Sequence, residues 1–154
     1  MFHIVLYEPE IPPNTGNIIR LCANIGSHLH LIHPLGFNWD HQQLQRAGLD
    51  YHEFAEVTQY IDFHTFLREM RPERLFGIST RGKNQYNEVS FQSGDAFLFG
   101  PETRGLPQTI LDKLPRNHCL RIPMRPGQRC LNLSNGVAIV LYEAWRQLDF
   151  LDGE

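Results

Sequence analysis

Asp95-Ala96-Phe97-Leu98-Phe99-Gly100-Pro101-Glu102-Thr103-Arg104-Gly105-Leu106-Pro107 carries a compact apolar run straight into a loop with two glycines and two prolines. Residues 96–99 read as a buried parallel strand, because the run is continuous rather than alternating and is too short for a helix. The loop that follows has a fixed path and allows close backbone approach. A carboxylate enclosed in such a turn, here Glu102, has to pair or hydrogen-bond. A tight structural turn is the plainer alternative.

The same rhythm extends in both directions. Residues 3–7 form a short apolar strand, stopped by Glu8 and Pro9. Asn14 can cap a helix that runs through Arg20 and ends near Gly26. Strands are expected at 29–33, 52–57, 75–79 and 119–122, and helices at 40–47, 61–70, after Pro107, and from 132 to 148. This β–α order predicts one α/β domain spanning residues 1–154, with a mainly parallel sheet and helices on both faces. Ligands of such sheets bind outside the carboxyl ends of the strands.

Two further strand exits carry unusual chemistry. Asn14-Thr15-Gly16-Asn17-Ile18-Ile19-Arg20 opens a helix, so free backbone N–H groups there can face an anion. Arg20 is the only Lys or Arg in the first forty residues. It can bind a phosphate or a ribose, or be a surface side chain. Ile122-Pro123-Met124-Arg125-Pro126-Gly127-Gln128-Arg129-Cys130-Leu131-Asn132-Leu133-Ser134-Asn135 leads from a strand through a polar loop into the last helix. Asn132 and Ser134 are either plain caps or ligand contacts. In that helix Leu133, Val137, Val140, Leu141, Ala144 and Leu148 recur every three or four residues, a core or dimer stripe, with Tyr142, Trp145 and Arg146 around it.

Composition narrows the function. The chain has 154 residues and a formal charge of −3, but residues 101–130 hold six bases and two acids, +4, against −7 elsewhere. A local basic stretch on an acidic body can bind phosphate if folding gathers it on one face; otherwise it is a solvated surface. The three cysteines suggest neither a disulfide framework nor a metal knuckle. His28, His30 and His33 lack a carboxylate constellation and read as surface or satisfied histidines rather than metal ligands. No apolar run approaches the ~20 residues that span a bilayer. No basic leader precedes residues 3–7, so a cytoplasmic protein is expected. GxGxxG, P-loop and GxSxG motifs are absent, which disfavours dinucleotide, phosphoryl-transfer and esterase chemistry.

Taken together and in order, the three segments resemble the signature motifs of the SPOUT methyltransferases. The match extends to Ile4-Val5-Leu6-Tyr7-Glu8-Pro9-Glu10-Ile11-Pro12, Ala47-Gly48-Leu49-Asp50-Tyr51-His52-Glu53-Phe54, residues 100–107, and Tyr142-Glu143-Ala144-Trp145-Arg146-Gln147. There it is similar to the bacterial tRNA wobble-position ribose 2′-O-methyltransferases, nearly end to end. It weakens over residues 82–94 and after Leu148.

The resemblance implies a SPOUT fold with a C-terminal trefoil knot, a homodimer, and no separate RNA-binding domain. It also implies S-adenosylmethionine as methyl donor, S-adenosylhomocysteine as product, no metal, and a tRNA anticodon loop as substrate, with cytidine or modified uridine 34 of leucine tRNAs as target. Cofactor contacts then fall on Ile78, Gly100, Ile122 and Cys130. Thr80, Gly82, Glu102, Gly105, Met124 and Leu131 line the same pocket. Arg20 is the motif arginine, acting from the partner subunit, with Asn14 its motif partner and Tyr142 implicated in the reaction. Arg20, Lys83, Arg104, Arg129 and Arg146 are candidates for RNA contacts. One departure stands out: the family usually has serine where this chain has Cys130. The competing readings are a 2′-O-methyltransferase for another RNA position, a non-catalytic RNA-binding protein on the same fold, and a generic nucleotide-binding α/β protein.

Overall fold

In β1 (His3–Tyr7), Ile4 and Leu6 point into one hydrophobic cluster and Val5 into another. This alternation puts a core on each face of the sheet, as the period of a strand requires. A computed structural model describes residues 1–46, 48–50, 52–53 and 56–154. The other strands are β2 (His28–Ile32), β3 (Val57–Tyr60), β4 (Leu75–Ile78), β5 (Asn84–Gln85), β6 (Ala96–Phe99) and β7 (Cys119–Arg121). They form one sheet in the order β3-β2-β1-β6-β4-β7-β5. Every pairing is parallel.

Helices cover both faces. On the first face lie α1 (Pro12–Ile25), which buries Ile18, Ile19, Cys22 and Ile25, and α2 (His41–Arg46), which contributes Leu44. On the second lie α3 (Phe63–Met70) with Phe63 and Phe66, and the single turn α4 (Gln108–Leu111) with Ile110 and Leu111. The last helix, α5 (Leu133–Gln147), joins the first face and packs on α1. Its stripe of Val137, Val140, Leu141 and Ala144 is core, with Leu133 and Leu148 packed partly against it.

Several expected boundaries move for local reasons. The first helix starts at Pro12, not after a cap at Asn14, and its N-cap Ile11 makes no side-chain cap. Pro12 and Pro13 have no N–H, so two of the usual orphan donors do not exist, and the Asn14 N–H reaches the Ile11 carbonyl at 3.1 Å. Asn14 is thus freed for another task. Gly26 closes α1 in the left-handed region, with φ 73°. The helix expected over 61–70 begins after Asp62, whose carboxylate accepts the Thr65 N–H at 2.7 Å. The strand expected over 52–57 begins only at Val57, with residues 54 and 55 outside the described residues. Ala47, Tyr51 and Phe54 of the family-like run lie outside them as well. The polar pair Asn84–Gln85 adds an edge strand that no apolar pattern announced.

The loop after β4 is pressed onto β7. The Ser79 N–H donates to the Leu120 carbonyl at 2.9 Å, and a Cβ on Gly82 would sit 2.4 Å from the Leu120 carbonyl carbon. Both atoms at that clash belong to backbone and cannot rotate away. By contrast, a Cβ on the helical Gly136 meets nothing closer than Ile122 Cδ1 at 3.7 Å.

At the opposite edge of the sheet His30 is buried between His3 Nδ1 at 3.0 Å and the Tyr60 hydroxyl at 2.8 Å. His28 and Phe66 flank its ring. Thr58 Oγ1 and, at 4.0 Å, Glu56 lie against His28. His30 is thus buried and hydrogen-bonded on the second face, with His3 and His28 half-buried beside it. Burial, with His28 and His3 adding to it, pushes His30 down to about 3 from an ordinary 6.5. Between those values the unfolded chain binds the proton and the folded chain does not. The stabilisation is therefore complete above about pH 6.5 and is lost as the pH falls toward 3.

Two tests follow from this packing. Urea midpoints should fall more steeply from pH 7 to 5 for the wild-type protein than for His30→Gln; equal slopes would remove His30 as the cause. At neutral pH, Gly82→Ala should lose about 1–3 kcal/mol to overpacking. Gly136→Ala should gain up to about 1 kcal/mol from helix propensity. Thermal melts of the two proteins check the opposite signs.

Candidate active site

A parallel sheet delivers all its strand ends to one edge, and here β1, β6, β4 and β7 are neighbours. Their four exits are residues 8–11, 100–107, 79–82 and 122–132. Three of them enclose a cavity of about 520 Å³, lined among others by Ile78, Thr80, Phe99, Gly100, Glu102, Gly105, Ile122, Met124, Cys130, Leu131 and Asn132. Of the positions expected to hold a cofactor, all but Gly82 line this space. Gly82 is buried behind it, against β7. Gly100 allows the loop after β6 to fold back: a Cβ there would lie 2.2 Å from the Leu106 nitrogen.

Hydrogen bonds join the signature loops to one another. The half-buried carboxylate of Glu102 accepts the Glu10 N–H at 2.9 Å, the Ile11 N–H at 2.5 Å and the Asn14 side-chain amide at 3.4 Å. The anion at the start of α1 is therefore the protein's own, held by N–H groups just ahead of the helix; the helix's own first donors are absent at Pro12 and Pro13, and those of Asn14 and Thr15 bond the Ile11 carbonyl. Asn14, buried, accepts on Oδ1 from Asn132 Nδ2 at 3.0 Å. Asn132 in turn caps α5, with Oδ1 accepting from the Ser134 N–H at 2.9 Å and the Ser134 hydroxyl at 2.6 Å. Asn132 is therefore both cap and cavity wall, while Ser134 spends its hydroxyl on the cap.

Two residues that the sequence did not single out complete the frame. Glu10 accepts the Thr103 N–H at 3.1 Å and its hydroxyl at 2.8 Å, and these bonds hold the Glu10 carboxyl below its usual range. Arg81 lines the cavity, donates to Gln108 Oε1 at 2.9 Å and also reaches the Leu106 carbonyl. Its only sequence signal was its position just past a strand end, one residue before the stretch where the family likeness fades.

Other expected site residues lie at the rim of the cavity or outside it. Arg20 is exposed, donates to the Gly48 carbonyl and lies 3.4 Å from Glu53, outside the cavity wall. Tyr142 is exposed on α5, with its ring centre 5.6 Å from that of Trp145. Arg104 is exposed at the cavity rim, 3.9 Å from Glu8 and 3.8 Å from Glu10. Arg146 pairs with Glu143 at 2.8 Å. Lys83 and Arg129 are exposed, Lys83 in a shallow groove beside Arg116.

The chain is similar in sequence and in fold to known proteins. The chain is 60% identical over 150 residues to the tRNA (cytidine(34)-2′-O)-methyltransferase of Escherichia coli (strain K12), covering 97% of this chain and 96% of that protein. It is 58% identical over 150 residues to the enzyme of that name from Aeromonas hydrophila, with the same coverage. A solved structure described as giving insight into 2-OH methylation of C/U34 on tRNA matches with a TM-score of 0.88 and 46% identity, covering 97% of each chain. The SpoU methyltransferase AviRb of Streptomyces viridochromogenes, solved with AdoMet, shares the fold at a TM-score of 0.82 and 22% identity, over 96% of this chain and 60% of that one. The family described as SpoU rRNA Methylase matches residues 1–142. A seven-stranded parallel sheet with its signature loops bonded around one cavity, and a family match over most of its length, show that this chain belongs to the SpoU methylase family.

Proposed function

We propose that this protein transfers a methyl group from S-adenosylmethionine to the ribose 2′-hydroxyl of the wobble nucleotide, position 34, of tRNA. The observation that carries this reading is near full-length identity to enzymes named for that reaction, combined with a cavity built from the same loops. Cytidine or modified uridine 34 of leucine tRNAs is the target, and the cytoplasm is where the protein meets it. Among the described residues no helix is long and apolar enough to cross a membrane.

The cavity fits the methyl donor. Its size suits a nucleoside-bearing ligand. Ile78, Phe99, Ile122, Met124, Leu131 and Leu133 offer apolar walls for a flat base, and Gly100 and Gly105 offer close backbone approach. Glu102, Thr103 and Asn132 supply polar groups at one side. Cys130 stands on the wall where the family usually has serine; its thiol is a weak hydrogen-bond partner, so backbone contacts would do the holding there. When bound, S-adenosylmethionine supplies an already activated methyl on a sulfonium.

The protein's share is alignment and charge control. The bonds among Glu102, Asn14 and Asn132 fix the loops before any ligand arrives. Arg20 and Tyr142 face away from their own protomer's cavity, which suits a homodimer in which each serves the partner's site. The exposed apolar residues Ile11, Leu131 and Tyr142 are suited to such an interface. A guanidinium, with a pKa above ~12, is a poor base at neutral pH. Arg20 therefore stabilises negative charge developing on the ribose oxygen or binds the adjacent phosphate, and the proton leaves through phosphate or water. RNA is held by the domain's own surface, with Lys83, Arg104, Arg129 and Arg146 near its backbone. The trefoil knot belongs to the same reading. It is supported by the return of the chain from β7, past the loops after β4 and β6, to an α5 that packs on α1.

Incubation with S-adenosylmethionine and tRNA lacking wobble methylation should place new 2′-O-methyl at nucleotide 34 by mass spectrometry. Methyl groups at another RNA position would redirect the substrate, and cofactor binding without turnover on any RNA would leave a binding protein. Arg20→Lys should lower kcat at least tenfold, because a point charge does not replace a guanidinium fork; full activity in that variant would refute the role. Lys83→Gln and Arg129→Gln should each reduce the slope of log affinity against log salt by about one phosphate contact. Unchanged slopes would move the RNA path elsewhere.

A further inference from the structure

A second cavity, of about 400 Å³, lies on the other side of α1. Its lining includes Arg20 and Asn17 from α1, Phe37 and Asn38 from the loop after β2, and Gln43 and Leu44 from α2. We propose that it receives one unstacked nucleobase from the single-stranded loop of the RNA substrate, a reading that rests on the tRNA-methylation function above.

The chemistry of the wall points to a base. Phe37, Leu44 and the prolines of α1 give flat apolar surface, while Asn17, Asn38 and Gln43 bring side-chain amides to the same space. All three are exposed, and among the described residues none has a hydrogen-bond partner within the chain, so each is free to meet a ligand. An amide offers both a donor and an acceptor, the pattern that a base edge presents in return. Single-stranded RNA is recognised in this way, by stacking on an aromatic ring and by hydrogen bonds to exposed edges.

The cavity is also placed for it. Pro13, Gly16, Asn17 and Arg20 recur at spacings of three and four, one face of a helix. A base held there lies beside the phosphate or ribose that Arg20 would meet. The loop that carries Phe37 is tied to the exit of β1, since the Gly36 N–H donates to the Pro9 carbonyl at 2.9 Å.

The test uses an anticodon stem-loop RNA carrying 2-aminopurine at each loop position in turn, with the wild-type protein, Phe37→Leu and Gln43→Ala. One loop position should change its fluorescence on binding wild-type protein. In Phe37→Leu that change should vanish and affinity should fall by roughly tenfold, the loss of one base–aromatic stack. S-adenosylmethionine affinity and sedimentation should stay as in wild type, which shows that the fold survives. Gln43→Ala should weaken binding with stacking retained. A fluorescence profile in Phe37→Leu identical to wild type overturns the proposal. So does a wild-type dimer that Phe37→Leu dissociates, because the cavity then belongs to a second copy. A wild-type protein that binds and methylates no RNA overturns the functional reading and this subsite with it, whereas methylation that persists unaltered in both variants overturns the subsite alone.

Discussion

The Glu102 carboxylate accepts three N–H groups from the start of the chain, and the rest of the site depends on that arrangement. A half-buried carboxylate without donors would be destabilising, so the loop after β6 and the loop after β1 have to meet. Asn14 extends the constraint by giving its amide to Glu102 and its oxygen to Asn132. Asn132 then caps α5. Segments nearly ninety and more than a hundred residues apart are fixed by one short series of polar contacts. Every member has a partner, which is the condition under which a buried polar network specifies a structure rather than weakening it.

The sheet makes those contacts possible. Parallel pairing sends the exits of β1, β6, β4 and β7 to the same edge, and glycines let the loops there touch backbone to backbone. Gly100 is folded against Leu106, and Gly82 against Leu120. Prolines at the start of α1 contribute in a different way. By removing the donors that would need a cap, they release Asn14 from that duty and let it bridge two loops.

Much of this could be read in the chain. The apolar run at residues 96–99 and the Gly/Pro loop after it predicted a strand and a turn, and Glu102 was marked as a group in need of partners. The stripe on α5 was legible, though whether it faced a core or a partner was not. Arg81 and Glu10 escaped notice because a lone charged residue at a strand end has no pattern of its own; its role arises from Gln108, Leu106 or Thr103, all distant in sequence. Asn14 was misread as a cap because the helix-start preference of asparagine is a local signal and its partners are not local.

By itself the sequence determined the α/β order, the strands β1, β2, β4, β6 and β7, the end of α1 at Gly26 and the three segments that carry chemistry, because propensity, periodicity and turn residues act over a few neighbours. Only the tertiary structure decided the strand order, the mutual bonding of Glu102, Asn14 and Asn132, and the placement of Arg20 and Tyr142 outside the cavity wall. It also decided that His30 is buried between His3 and Tyr60, with His28 half-buried beside it. These are contacts between residues far apart in the chain, and their energies depend on burial and geometry that exist only once the sheet has formed.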